Sequence, residues 1–500
     1  MTYFHRFRTT FGSALVAASL AVAGPAAMAQ EGPEELTIAL SGDFPSLDPS
    51  KDTAPIALNY RLNVFEALTT VAENGEVLPA LAKSWTVSDD GLTYTFDLET
   101  GVKFHDGTDF DSADVVFSFN RAMAEDSVNP SKGNFKPIES VTAPDANTVV
   151  ITLNEKDAFF LFNMAQGDSA IVAEETVDGH ATDPVGTGPF KFDSRTRGDR
   201  LTLVKNPDWR GAEDVTLDRV EFRFIADAAA ASAAMMAEEI DAYPGCPAPE
   251  LLPQFEADPR FVVEIGSTEG EVILAMNNSK PPFDNVEVRR AISTAINREE
   301  IIDGAMYGQA VPIGSFYPPH GTAYVDLTGT YAHDTEKAKA MFEEAGVAGT
   351  TMTLRVPPFA YATRSAEIIQ AELADAGIDA KVENVEWGFW LDEVYKKKNY
   401  DMTIIAHTSP NDMGNFARGP DYFYGYDDAD FTALWDKIRT EADPDKRDAL
   451  LKQGQEYLTG QAVHGFLFQL PRLSVIKTGV DGFWKNSPVL FQPLAGVRVN

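Results

Sequence analysis

The chain has 500 residues, with 76 acidic against 41 basic side chains and a formal charge of −35. That balance excludes nucleic acid and anionic membrane surfaces as partners, because either would repel it. The charge serves solubility first, with attraction of a cationic solute as the sharper alternative, and the length calls for two or three lobes rather than one core.

Residues 1–29 read as a secretory signal peptide. Arg6 and Arg8 precede the small-apolar run FGSALVAASLAVAG, and Ala27-Met28-Ala29 supplies the small residues of a cleavage site. The run is too short to span a bilayer, and no later stretch reaches the ~18 apolar residues a membrane helix needs, so no membrane insertion is expected. Cys246 is the single cysteine; it has no internal disulfide partner and lies far from the cut, where a lipid anchor would require it. The expected location is the periplasm, free of the membrane.

After the leader, ELTIALSG reads as a strand that ends in a loop from Gly42 to Asp52, with Phe44 inside it. IALNYRLNVFEALTTV then has helical spacing. From Trp85 the period becomes two: Leu92, Tyr94, Phe96 and Leu98 share one face, and Asp90-Gly91 marks a hairpin. In DSADVVFSFNRAMAED, Asp111 stands at an N-cap and Asp114 in the first turn, ahead of an apolar stripe. NTVVITL is again a strand, and VGTGPFKF is a turn leading into one. Further on, the helices AAAASAAMMAEEIDAY, NVEVRRAISTAINREEIIDGAM, DTEKAKAMFEEAG, RSAEIIQAELADAG and DPDKRDALLKQGQEYL stand among the strands EVILAMNN, TMTLRV, DAKVENV, YDMTIIA and GFLFQL. Such alternation argues for α/β lobes, with the early hairpins forming an appended antiparallel piece.

Catalytic signatures are missing from the sequence: there is no H-E-x-x-H, G-x-S-x-G or P-loop lysine. His105, 180, 320, 333, 407 and 464 are scattered, so a metal site would have to be assembled from distant segments. Acid pairs are too abundant in so acidic a chain to single out a glycosidase pair. His105-Asp106-Gly107 follows an alternating run and reads as turn chemistry. No cofactor, metal or enzymatic activity is expected. The aromatics are more informative: Trp387, Phe389 and Trp390, and Tyr422, Phe423, Tyr424 and Tyr426, bracket a strand and a Gly/Pro/Asp-rich loop. They serve either as core of a lobe or as walls of a pocket.

Several stretches together resemble the family 5 extracellular solute-binding proteins, the peptide- and nickel-type receptors of ABC importers. They are LPALAKSWTVSDDGLTYTFDLETGVKFHDGTDFDSADVVFSFNR, VGTGPFKF with LVKNPDW, EIDAY, MNNSKPPFDNVEVRRAISTAINREEII, and AEIIQAELADAGIDAKVENVEWGFWLDEV. The resemblance implies an α/β, periplasmic binding protein-like fold: two large α/β lobes joined by a two-strand hinge, plus a smaller lobe with an antiparallel sheet. Lobe I would comprise 31–75, 186–275 and 470–500, the small lobe II 76–185, and lobe III 276–469, with EVILAMNN and HGFLFQLPR as the connecting strands. Such receptors close around a solute, here a small polar or peptide-like one, and deliver it to an inner-membrane ABC permease, working as monomers.

Peptide-binding members of that family place an aspartate after the strand matching YDMTIIA, to hold the peptide's ammonium. Aligned on Phe416, this chain has Ser409 there, and the next acid is Asp412. Arg355 falls within about one position of the arginine that takes a dipeptide's carboxylate. The candidate solute-binding residues are therefore Phe44, Arg355, Trp387, Trp390, Ser409, Asp412, Tyr422 and Tyr424. A secreted carboxylate-dependent hydrolase, a periplasmic chaperone or sensory co-receptor on the same scaffold, and a nickel complex as ligand are the competing readings.

Overall fold

Runs of alternating or unbroken apolar residues pair into three larger sheets in the computed structural model, which describes residues 34–500 except 52–54, 410–411 and 490. The leader expected at 1–29 lies outside the described residues. The first sheet has seven strands in the order Phe261–Gly266, Arg472–Lys477, Ala242–Pro244, Glu35–Leu40, Arg219–Phe224, Arg200–Lys205 and Phe190–Thr196. Leu36, Ile38 and Leu40 pack into a core on one of its faces, and Ala39 into a second core on the other. The pleat sends successive side chains to opposite faces, which is why this strand is apolar at nearly every position.

Six strands form another large sheet, in the order Val311–Pro312, His464–Gln469, Glu271–Met276, Met402–His407, Thr351–Val356 and Asp379–Asn384. Every residue of Glu271–Met276 is buried. Val272, Leu274 and Met276 meet one helical layer, which includes Val286–Ala295, Arg298–Met306 and Ala360–Asp375. Ile273 and Ala275 meet an aromatic-rich layer under the helices Ala429–Thr440 and Pro444–Gly460. The single helix expected over NVEVRRAISTAINREEIIDGAM is two, because Ile296 is extended and the Asn297 side chain caps the second by accepting from Glu300 N–H.

A four-stranded antiparallel sheet, ordered Ala82–Val87, Thr93–Leu98, Thr148–Leu153 and Ile138–Asp145, carries the small lobe. Tyr94, Phe96 and Leu98 pack against Val115 and Phe119 of helix Ser112–Met123. Asp111 caps that helix by accepting from Ala113 N–H at 2.7 Å, and Asp114 accepts from Asp111 N–H at 2.9 Å. His105-Asp106 is a turn: Asp106 accepts from the Thr108 N–H and Oγ1–H at 3.0 and 2.7 Å, and Gly107 has φ +94°. His105 is a tie between lobes. Its Nδ1 accepts from Gly186 N–H at 3.3 Å, and its Nε2 donates to the Gly188 carbonyl at 3.1 Å. A Cβ on Gly186 would lie 2.1 Å from the Val64 carbonyl oxygen, so glycine is required in VGTGPFKF for close backbone approach rather than for phosphate.

Two crossings connect the seven- and six-stranded sheets. One is 267–270, between Phe261–Gly266 and Glu271–Met276; the other is Leu470-Pro471, between His464–Gln469 and Arg472–Lys477. They hold each other: Thr268 Oγ1 donates to the Leu470 carbonyl at 2.6 Å, Leu470 N–H to Gly270 at 2.7 Å, and Gln469 Nε2 to Thr268 at 2.6 Å. EVILAMNN and HGFLFQLPR thus supply the six-stranded sheet's ends of the hinge.

Candidate functional site

Glu271 opens its strand directly opposite His407, the last residue of Met402–His407. Beyond His407 the chain turns through Ser409 into the short helical turn Asp412–Ala417. One Asp412 oxygen accepts from Ser409 N–H at 3.1 Å, the other from Asn415 Nδ2 at 2.9 Å, and His407 Nδ1 stands 3.7 Å away. The other His407 nitrogen, Nε2, is 2.8 Å from the Tyr424 hydroxyl, which fixes the ring.

This corner opens on a cavity of about 830 Å³. The small lobe contributes Tyr94, Lys156, Asp157 and Phe159 among others; the hinge contributes Glu269 and Glu271; and Phe316, Tyr317, His320, Ser409, Asp412, Arg447 and Asp448 stand in the facing wall. A seam beside it joins the small lobe to helix Ala429–Thr440. There Phe159 stacks on Trp435 at 5.9 Å, Ala158 N–H donates to the Arg439 carbonyl at 2.7 Å, and Arg439 pairs with Glu155 at 2.9 Å.

Acids dominate the charged part of the lining: six carboxylates, of Glu76, Asp157, Glu269, Glu271, Asp412 and Asp448, stand against Lys156, Arg447 and His320. His320 is engaged with Glu269 at 2.8 Å. Arg447 lies over the Phe159 ring at 5.7 Å and forms no ion pair among the described residues. Glu271 is only 4% exposed, and no other described residue donates to its carboxylate. Burial, reinforced by the Glu269 and Asp412 charges, pushes this carboxyl well above the usual carboxylate range.

Of the residues singled out from sequence, the cavity brings together Ser409 and Asp412. Arg355 sits mid-strand, its Nε bonded to Glu383 at 2.9 Å and its other end to the Asn399 carbonyl. Trp390, Tyr422 and Tyr424 are buried in the aromatic core under the six-stranded sheet. Trp390 Nε1 donates to Thr403 Oγ1 at 2.9 Å, and Tyr422 lies 4.1 Å beneath the Arg418 guanidinium. Trp387 is 39% exposed and stacks on Trp390 at 4.9 Å. Phe44 is buried in the core against the seven-stranded sheet, stacked on Tyr60 at 5.0 Å under Arg195. Sequence reasoning missed Glu271, although a carboxylate heading the otherwise unbroken apolar run of EVILAM was a visible signal. It also missed Arg447, which nothing distinguishes from other helical surface arginines in DPDKRDALLKQ. Among the described residues no cluster of three His, Cys, Asp or Glu could hold a metal ion, and no helix is long and apolar enough to cross a membrane.

Two lobes joined by two crossings, with a cavity where the six-stranded sheet's lobe faces the small lobe, are the architecture of a solute-binding protein. Residues 76–428 match the family described as bacterial extracellular solute-binding proteins, family 5, and the chain belongs to that family. It is 30% identical to di/tripeptide-binding protein 1 of Pseudomonas aeruginosa, over 96% of this chain and 97% of that one. Its fold is similar to that of the ABC transporter-associated periplasmic binding protein DppA of Helicobacter pylori, solved with the peptide STSA, at TM-score 0.80 and 28% identity over 93% and 98% of the two chains. It is also similar to the periplasmic binding protein AgaA of A. tumefaciens R10, solved with agropinic acid, at TM-score 0.79 and 25% identity over 93% and 99%. The chain therefore has the α/β periplasmic binding protein fold and is a solute-binding receptor of the ABC-importer type.

Proposed function

We propose that the solute is a small zwitterionic, peptide-like molecule, held with its ammonium at Asp412 and its carboxylate at Arg447. The observation that carries this reading is the cavity that Ser409, Asp412 and Arg447 share. Ser409 supplies no charge, but Asp412, three residues on, reaches the same wall. A desolvated carboxylate there meets an ammonium with a charge-assisted bond, and the unpaired Arg447 fork suits a carboxylate. Arg355 is engaged by Glu383 and Asn399, so Arg447 is the better partner for that end. The names of the relatives support a peptide-like solute, and the agropinic acid neighbour supports latitude in its chemistry. Lobes bounded near residues 76, 186, 276 and 470 close on the solute, and an inner-membrane permease reads the closed form. The receptor works as a monomer in the periplasm and performs no chemistry on the solute.

Melting the leaderless protein with Ala-Ala and with N-acetyl-Ala-Ala tests this. Ala-Ala at 100 times its dissociation constant adds about 2.7 kcal/mol of stability, and the acetylated form adds none. Equal shifts with both, or a full shift in Asp412→Asn, would refute the assignment.

A further inference from the structure

Glu271 stands apart from the other acids at this cavity. Asp412 already accepts from Ser409 and Asn415, and Glu269 is bound to His320. Glu271 is 4% exposed, lines the cavity and receives no hydrogen bond on its carboxylate from another described residue. An ionised carboxylate in that position is costly unless something positive joins it. No described side chain fills that role: Lys156 and Arg447 line the cavity, yet neither is paired with Glu271.

We infer that Glu271 is a specificity residue that accepts a second cationic group of the solute, so that the receptor selects basic solutes, those with an amine or guanidinium side chain, over neutral ones. The inference rests on the proposed placement of a zwitterionic solute between Asp412 and Arg447. About 830 Å³ leaves room beyond two small residues for a long basic side chain. Phe316 and Tyr317 line the same cavity and offer aromatic surface for the apolar stem of such a chain. Burial and the neighbouring acids favour the neutral carboxyl when the site is empty, and an arriving cation reverses that preference.

Calorimetric titration of the leaderless protein with Lys-Ala, Arg-Ala, Ala-Ala and the non-peptide agmatine tests it, alongside Glu271→Gln. The wild type is expected to bind Lys-Ala or Arg-Ala at least about tenfold more tightly than Ala-Ala. Glu271→Gln is expected to abolish that margin while leaving Ala-Ala within about twofold. Two buffers of different ionisation enthalpy add a second readout: basic dipeptides release a proton from the wild type and not from the variant. A melting curve matching the wild type shows that Glu271→Gln folds. Equal binding of neutral and basic dipeptides overturns the inference and leaves the peptide reading standing. So does a uniform loss in the variant, which would make Glu271 the anchor of the α-ammonium. Binding of agmatine without any dipeptide overturns the peptide reading and, with it, the assignment of Glu271 to a second cationic group of a peptide. No binding by any of the four overturns both.

Discussion

Arg364 and Glu250 form an ion pair between the lobes that carry the six- and seven-stranded sheets. Arg364 lies on helix Ala360–Asp375 beside the six-stranded sheet, and Glu250 in the turn Pro249–Leu251 beside the seven-stranded one. Their contact is bidentate, at 2.7 and 3.1 Å, with Arg364 also 5.5 Å over the Tyr307 ring. The Arg364 hydrogen bonds hold the Glu250 carboxyl below its ordinary range. Both side chains are 30% exposed, so the pair is a modest latch rather than a buried anchor.

Arg364→Ala should therefore shift the solute-free lobes toward opening without unfolding them. Small-angle scattering is expected to show a larger radius of gyration than the wild type. Apparent solute affinity should fall about two- to fivefold, because less of the protein is closure-competent. An unchanged radius and affinity would mean the pair has no role in closure.

His105 and His180 set a pH limit on stability. Burial pushes both down to about 4, so they are neutral in the fold and take up protons on unfolding. The unfolded chain binds more protons below about 6.5, so stability is full above that pH and is lost as pH falls toward 4. Each histidine's share of that loss is on the order of 3 kcal/mol across the window. Urea unfolding at pH 7.5 and 5 measures it. His105→Gln, which does not titrate, should show a shallower fall; an equal fall would contradict the assignment.

Glu372 carries the opposite sign. Burial raises its carboxyl to about 8, while one oxygen accepts from Asn297 N–H at 3.0 Å at the second helix's start. The carboxyl is neutral in the fold and ionised in the unfolded chain, so it costs stability increasingly as pH rises from 4.5 through 8. Glu372→Gln removes that cost. The melting temperature should rise by about 1–3 °C at pH 8 and stay unchanged near pH 4.5.

Asp106→Ala should cost about 0.5–1.5 kcal/mol through loss of its two bonds to Thr108, with solute binding untouched. Chemical denaturation and titration together check this, and a loss of binding at full stability would return the His105-Asp106 pair to the functional site.

Much of the scaffold was legible because it follows local periodicity. Tyr94, Phe96 and Leu98 alternate, Asp111 caps its helix as a lone side chain can, and Gly107 takes the φ its turn demands. The site was less legible because it is assembled from segments far apart in the chain. Asp412 was reachable from its neighbourhood in sequence. Glu271 meets it only through the pairing of two strands separated by more than a hundred residues, and Arg447 only through the docking of a late helix against the small lobe's Phe159. The aromatic run at Tyr422–Tyr426 illustrates the same limit. Its composition fits a wall or a core equally, and the packing of Phe416, Phe423 and Tyr424 beneath a sheet is what makes these rings core.

The most direct test is a crystal structure of residues 30–500 with Lys-Ala bound. The expected result is the α-ammonium about 2.7–2.9 Å from Asp412, the carboxylate on Arg447 and the lysine amine on Glu271. A dipeptide seated instead against Trp387 and Phe389, with Asp412 still turned to Ser409 and Asn415 and Glu271 untouched, would contradict it.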